Sequence, residues 1–339
     1  MRKLPVKPRL DALDACLLTV IQREVPLVPR PFHALARRLG VSGEEVLRRV
    51  NALKKAGIVR QVSAIFDANA LGYKSALVAV KCPRGRDAIA AVVSKHPGVS
   101  HNYGRDHRFG LWFTIAVAPD RDLAREVARL MQRSGAIHYI VLPALRVFKI
   151  RVTLDLGAEN EGAEGPPAPR RQARARKLTA SQTAAVRALQ RPLPIVERPF
   201  LALSRGMGAS GATGIAISEP ALLLRAKRLL SSGIMRRFAA VLGHQRVGYT
   251  ANAMAVWQVP ENRIARAGKV AASFGAVSHC YQRATAPGWP YNLFAMIHGR
   301  ARADCLRVAD QISAKIGNPP RALLFTTREY KKSRPLYFL

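Results

Sequence analysis

The sequence predicts an α+β protein in which a winged helix-turn-helix domain and a ferredoxin-like βαββαβ domain occur in tandem, and the pair is then duplicated. Three observations carry this. The first stretch has three short helical patterns separated by tight turns, then a strand. The next has the order strand, helix, strand, strand, helix, strand. And the second half of the chain repeats the first, at offsets from 168 (Gln22 to Gln190) to 182 (Arg146 to Arg328).

Leu10 to Gln22 has the apolar spacing of a helix, with Leu10, Leu13, Leu17, Leu18 and Ile21 near one stripe, and Val25-Pro26 ends it. Pro31 opens a short helix that Gly40 closes. Ser42 caps the third helix, with Glu45 as its capping-box partner, Val46, Val50 and Leu53 as its apolar stripe, and Gly57 as its stop. Ile58 to Phe66 is a strand. Beyond it the spacing predicts strands at Ser75–Cys82, Val99–Arg105, Gly110–Ala118 and Leu145–Leu154, and helices at Arg86–Lys95 and Asp120–Ser134. Residues 155–176, rich in Gly, Pro and like charges, are a linker. Pairs of matching segments then mark the repeat: Gly57-Ile58-Val59-Arg60 with Gly233-Ile234-Met235-Arg236, Leu71-Gly72-Tyr73 with Val247-Gly248-Tyr249, and Arg146-Val147-Phe148-Lys149 with Arg328-Glu329-Tyr330-Lys331. The domains expected are 8–66 and 177–242 (winged helix-turn-helix) and 72–154 and 248–339 (ferredoxin-like). Each α/β domain has an open sheet face and free edges, so the two copies should cover one another as an internal pseudo-dimer, with a pocket near their interface.

The composition narrows function. Lys and Arg number 55 against 21 Asp and Glu, a formal net charge of +34. Such a surface attracts polyanions: nucleic acid, anionic lipid or a small polycarboxylate. No apolar run is long enough to span a membrane and no secretory h-region follows the basic N-terminus, so a cytoplasmic protein is expected. The four cysteines are too scattered for a zinc motif or a disulfide scaffold.

Nucleic acid is argued down by the second helix-turn-helix. Its turn carries a glycine-rich insertion, Arg205 to Gly214, that weakens the rigid hold a recognition helix needs. Its third helix, Pro220 to Ser232, offers no Asn or Gln for base edges. Gly206 to Gly211 matches a dinucleotide fingerprint in letters only: it follows helical sequence and no carboxylate appears where the ribose partner should be, so it is a loop.

The recurrent chemistry lies elsewhere. Val99-Ser100-His101-Asn102-Tyr103-Gly104-Arg105 is answered by Val277-Ser278-His279-Cys280-Tyr281-Gln282-Arg283. Alternation along a strand puts His101, Tyr103 and Arg105 on one face, and His279, Tyr281 and Arg283 on its counterpart. A solvated strand face is the bland alternative, made less economical by the recurrence of all three residue types. Arg60 with Arg236, and Lys149 with Lys331, recur at matched positions and suit carboxylate anchoring. Trp289, in a Gly/Pro loop, is either exposed to fold over a ligand or a core anchor, and His298 shares a strand face with Phe294 and Met296. Met254 and Trp257 look like core or interface positions. No carboxylate pair, Ser/His/Asp ordering or metal cluster is present in the sequence. Histidine with Arg and Lys suits proton delivery to a held anion, not hydride transfer or hydrolysis.

On the two His-x-Tyr-x-Arg segments, on Trp289-Pro290-Tyr291-Asn292-Leu293-Phe294-Ala295-Met296-Ile297-His298-Gly299 and on Thr327 to Lys332, the chain resembles the siroheme decarboxylases, relatives of the Lrp/AsnC regulators. The resemblance covers both halves. The first is similar to the D-type (or A-type) subunit and the second to the L-type (or B-type), as in a natural fusion. It implies an Lrp/AsnC effector-type α/β domain and decarboxylation of the C12 and C18 acetates of siroheme to methyls, giving 12,18-didecarboxysiroheme and two CO2 on the way to heme d1. It further implies no cofactor beyond the iron of the siroheme substrate, and G/H-type subunits of the same pathway as partners, with a homodimer open. It puts His101 and His279 in the family's histidine positions, with Tyr103, Arg105, Tyr281 and Arg283 beside them. The first copy departs from the family pattern after Arg105, where Gly110 stands in the place of Asn292. A histidine donating a proton and a histidine ligating the iron are equally compatible with the sequence. A DNA-binding regulator and a non-catalytic tetrapyrrole carrier remain as alternatives.

Overall fold

The computed structural model describes residues 10–82, 84–150, 178–208, 217–243 and 251–338. The expected linker and most of the glycine-rich insertion lie outside the described residues. In the first copy the elements are α1 (Ala12–Arg23), α2 (Pro31–Leu39), α3 (Gly43–Lys55), β1 (Val59–Phe66), β2 (Lys74–Lys81), α4 (Arg86–Lys95), β3 (Val99–Arg105), β4 (Phe109–Val117), α5 (Leu123–Ser134) and β5 (Tyr139–Ile150). In the second they are α6 (Ala180–Leu189), α7 (Pro199–Gly208), α8 (Glu219–Ser231), β6 (Met235–Leu242), β7 (Ala251–Trp257), α9 (Glu261–Ser273), β8 (Val277–Arg283), β9 (Leu293–Gly299), α10 (Arg302–Ile316) and β10 (Arg321–Lys332).

Two compact units result, and each combines like parts of the two copies. One is made of the described residues within Met1–Gly72, Thr153–Gly248 and Tyr337–Leu339, the other of those within Tyr73–Val152 and Tyr249–Leu336. In the first unit β1 and β6, the wings of the two helix-turn-helix copies, pair antiparallel as a two-stranded sheet. The pairing is reinforced reciprocally. Val25 N–H donates to Phe238 O at 2.7 Å, and Leu193 N–H donates to Val62 O at 2.7 Å. Leu17, Leu18, Ile21, Phe32, Leu35 and Val50 are fully buried in the first copy, as the helical spacing requires. Gly40 closes α2 in the left-handed conformation, at φ 69°. Ser42 caps α3 by accepting from Glu45 N–H at 3.2 Å, but the expected reciprocal half of the capping box is not made. The Glu45 carboxylate is taken instead by Arg48 and Arg49, because charge-assisted bonds to guanidinium outcompete one to a neutral N–H.

The second unit is a closed eight-stranded antiparallel barrel in the order β10-β3-β4-β2-β5-β8-β9-β7. The long strands β5 and β10 close it. Each begins in its own copy and ends in the other. β5 pairs with β2 from Tyr139 to Pro143, then with β8 from Ala144 to Ile150. β10 pairs with β7 from Arg321 to Phe325, then with β3 from Thr326 to Lys332. The sequence places the start of β5 at Leu145, six residues late, because Pro143 looks like a break. It is a changeover point: a residue with no N–H stands where the strand leaves one neighbour for the next, and its carbonyl accepts from Ala284 N–H at 3.3 Å.

Helices cover the outside of the barrel. Ile89, Val93, Val127 and Leu130 pack on Val78, Val99, Leu111 and Ile115 in the first copy. Ile264, Ala271, Cys305 and Ile312 pack on Trp257, Val277, Leu293 and Ile297 in the second. The third cluster includes no helix residue and draws on both copies: Ala79, Phe109, Trp112, Leu142, Met254, Val256, Trp289, Phe294 and Leu324 fill the barrel interior. The open sheet face and free edges of each copy are thus covered by the other, as an internal pseudo-dimer requires.

Candidate functional site

The two His-x-Tyr-x-Arg strands point the same way around the ring. Every neighbouring pair is antiparallel, and β3 and β8 stand four strands apart, so their directions agree. His101 and His279 are therefore carried near the same end of the barrel, on opposite sides.

Local irregularity aims the side chains. A register shift lies between Val99 and His101, and another between Val277 and His279. Val99 and Val277 face the helices, as do the next polar residues: Asn102 donates to Ala90 O at 3.1 Å, and Gln282 to Glu261 Oε1 at 2.8 Å. That leaves His, Tyr and Arg of each copy for the inner face. His101 and Tyr103 have ring centroids 6.1 Å apart, and His279 and Tyr281 6.2 Å at an interplanar angle of 20°. The arginines continue each row. Arg105 Nη1 donates to Leu324 O at 2.8 Å, and Arg283 Nη1 to Leu142 O at 2.9 Å. Each guanidinium thus rests on the closing strand of the other copy, over its own tyrosine ring at 5.7 Å and 4.7 Å respectively.

Both guanidinium groups are deeply buried, and desolvation pushes each down to about 10. Neither forms an ion pair among the described residues, and the Nε of each is buried without a hydrogen-bond partner. A buried cation in that condition favours an anion brought from outside.

Serine adjoins each imidazole. Ser100 Oγ lies 3.0 Å from His101 Nδ1, and Ser278 Oγ lies 2.8 Å from His279 Nδ1. In the second copy the hydroxyl also reaches His298 Nε2 at 2.8 Å, so that His279, Ser278 and His298 form one chain of polar contacts. Burial, then Lys332 and Arg105, push the His298 imidazole down to about 4, leaving it neutral near pH 7. The two serines and Lys332 are absent from the sequence-based site. The serines had a signal, since one precedes the histidine in both copies, whereas Lys332 is placed beside His101 only by strand register.

The remaining expected site residues lie elsewhere. Lys149 Nζ donates to Phe274 O at 2.8 Å, and Lys331 Nζ to Ser94 O at 2.8 Å and His96 O at 3.1 Å. Each lysine docks on the C-terminal end of a helix of the other copy, on the helix-facing side of the barrel. Arg60 and Arg236 belong to the other unit, on β1 and β6, where Arg236 Nη2 pairs with Asp67 Oδ2 at 2.8 Å. Trp289 is 1% exposed and serves as a core anchor, 5.0 Å from both Trp112 and Tyr291 by ring centroid, with its indole N–H buried and unpartnered. Met254 and Trp257 are buried. No cluster of three or more His, Cys, Asp or Glu that could hold a metal ion occurs among the described residues, and no described helix is long and apolar enough to cross a membrane.

Comparison with known proteins adds to this geometry. The model of the AsnC-like ligand binding domain matches residues 70–149 and 246–331, and that of the siroheme decarboxylase NirDL-like HTH domain matches 14–60. The chain is 41% identical over 324 residues to a siroheme decarboxylase of Hydrogenobacter thermophilus, covering 95% of this chain and 94% of that protein. It is 36% identical to the siroheme decarboxylase NirDL subunit of Paracoccus denitrificans, covering 95% and 96%. A crystal structure of the siroheme decarboxylase NirDL superposes with a TM-score of 0.74 at 37% identity, covering 97% of this chain and 95% of that one. A co-complex of NirDL with an iron-uroporphyrin III analogue matches equally well.

Proposed function

The chain belongs to the siroheme decarboxylase family, and from that premise we propose that it removes the acetate carboxyl groups at C12 and C18 of siroheme. The products are 12,18-didecarboxysiroheme and two CO2, a step toward heme d1. The observation that carries this reading is the pair of inner faces on which a histidine, a tyrosine and a buried, incompletely bonded arginine stand in a row. A flat macrocycle bearing many carboxylates needs such a lining: cations for the acids, a ring face for the plane, and a proton donor at the reacting carbon.

In each decarboxylation the bond between the acetate methylene and its carboxyl carbon breaks. CO2 leaves without the electron pair, which passes into the adjoining pyrrole system. An imidazole then delivers one proton to the methylene carbon, completing the methyl group, and is reprotonated from solvent. One proton is consumed per CO2. Arg105 and Arg283 hold substrate carboxylates, and exclusion of water from the half-buried site favours conversion of the anion to neutral CO2. His279 is the better-equipped donor, because Ser278 links its Nδ1 to His298 and fixes the ring orientation. The iron is part of the substrate, and the reading requires no resident cofactor.

A DNA-binding regulator is disfavoured by α3. Arg49 is spent on Asp11, Asp14 and Glu45, Arg48 on Glu45, and Asn51 donates to Ile195 O. The deciding assay is anaerobic incubation with siroheme followed by mass spectrometry. Two successive losses of the mass of CO2 support the enzyme. Tight binding with unchanged siroheme would leave a carrier.

A further inference from the structure

The two helix-turn-helix copies differ at one matched position in a way that points to a ligand. In the first copy Arg49 lies among three carboxylates. Its Nη1 is 2.6 Å from Asp11 Oδ2 and 2.9 Å from Asp14 Oδ1, and its Nε is 2.6 Å from Glu45 Oε1. Asp11 caps α1, Asp14 completes that capping box, and Glu45 is the third residue after the α3 cap Ser42. The arginine is the seventh residue after Ser42. In the second copy Arg225 is likewise the seventh after the α8 cap, Ser218. None of the three matched positions keeps its carboxylate. Thr179 caps α6, Gln182 completes that box, and Ala221 stands in the place of Glu45. A second cation is added, Arg228 in the place of Ala52.

The consequence is a cavity. Where the first copy has its own ion pairs, the second has a pocket of about 460 Å³ between α6 and α8, lined by Thr179, Gln182, Arg225 and Arg228 on its polar side. Leu178, Leu224, Leu229 and Ile234 supply an apolar side, and Leu224 is 50% exposed there. Arg225 Nη1 makes do with the carbonyl of Ala221 at 3.2 Å. Neither Arg225 nor Arg228 is ion-paired among the described residues.

We propose that this cavity binds a small organic acid, a carboxylate carried on a short apolar body. The carboxylate takes the place that Asp11, Asp14 and Glu45 hold in the first copy, between two guanidinium groups that grip carboxylates through charge-assisted bonds. The apolar body lies on the leucines and Ile234. The volume is in the range of small-molecule sites.

Isothermal titration of the full chain with hexanoate, 1-hexanol and inorganic phosphate tests this. Hexanoate should bind, hexanol should not, and phosphate should bind more weakly for want of the apolar contact. Two variants approach the site from opposite sides. Arg225→Gln with Arg228→Gln removes the cations and should weaken hexanoate by about tenfold or more. Thr179→Asp, Gln182→Asp and Ala221→Glu together rebuild the first copy's internal carboxylates and should abolish hexanoate binding, with siroheme turnover unchanged. The second keeps both arginines, so a folding defect in one variant leaves the other decisive. Absence of hexanoate heat in the wild-type chain, equal affinity for phosphate and hexanoate, or unchanged hexanoate affinity in a folded variant would overturn the proposal.

Discussion

The inner faces at His101 and at His279 have the same residues in the same order and different neighbours. Beside His101 stand Thr114 on β4 and Lys332 on β10. Beside His279 stand Met296 on β9 and Ile150 on β5. Two residues beyond Met296 comes His298, where the first copy has Ala116. One imidazole therefore has a lysine as its register partner on the neighbouring strand. The other has an apolar neighbour and, through a serine hydroxyl, a second imidazole. Duplication preserved the His, Tyr and Arg row and let its neighbours diverge, and on the function proposed above this difference leads us to expect the chemistry in the second copy and substrate holding in the first.

The largest expected effect tests that assignment directly. His279→Ala should lower siroheme turnover by about 10²–10⁴-fold, and His101→Ala by less than about tenfold, in single-turnover assays under anaerobic conditions. Equal losses would break the distinction. Next comes the plug of the barrel interior. Trp289→Ala should cost about 3–5 kcal/mol in denaturant unfolding, because it removes a buried ring system that both copies pack against. Arg108→Ala, in the short turn of the first copy, removes an exposed bond to Gly288 O and a cation–π contact with Phe109 at 5.7 Å, and should cost about 1 kcal/mol or less.

The third test uses pH. The folded-state value of His298, about 4, lies below its ordinary 6.5. The unfolded chain thus takes up a proton that the folded chain refuses, and stability that is full above pH 6.5 is lost as the pH falls toward 4. The loss attributable to this group is on the order of 3 kcal/mol. His298→Gln should flatten the profile of unfolding free energy across that window, whereas Ala116→Gln in the first copy should leave its slope unchanged. The smallest effect concerns the serines. Ser278→Ala, which removes a hydroxyl touching two imidazoles, should cost about 1–2 kcal/mol in stability, against about 1 kcal/mol or less for Ser100→Ala. An inverted order would show that the longer polar chain is an accident of packing.

Much of this was legible beforehand, for particular reasons. Helices α1 to α5 follow from apolar stripes, caps and stop glycines, which are local. The alternation from residue 101 to 105, and from 279 to 283, predicts the shared faces correctly because each register shift falls before the histidine and not within the row. Alternation misleads at the lysines, where shifts between Val147 and Lys149 and between Glu329 and Lys331 turn both ammonium groups toward helix ends of the other copy. Pro143 hides half of β5, since a proline at a change of partner looks in sequence like any strand terminator. The contact between Ser278 and His298 joins two strands through the fold, and neither residue alone announces it.

The ring closes late. Arg105 meets Thr326 and His101 meets Lys332, so β3 waits for the last strand of the chain before its outer edge is hydrogen-bonded. During synthesis the first α/β copy emerges with an unpaired edge at β3 and no partner for the second part of β5, a condition that invites pairing with other chains. Chain order thus makes the carboxyl-terminal strand the latch of the whole barrel. Loss of residues 326–332 would reopen the amino-terminal copy at its imidazole-bearing strand, more than two hundred residues away in sequence.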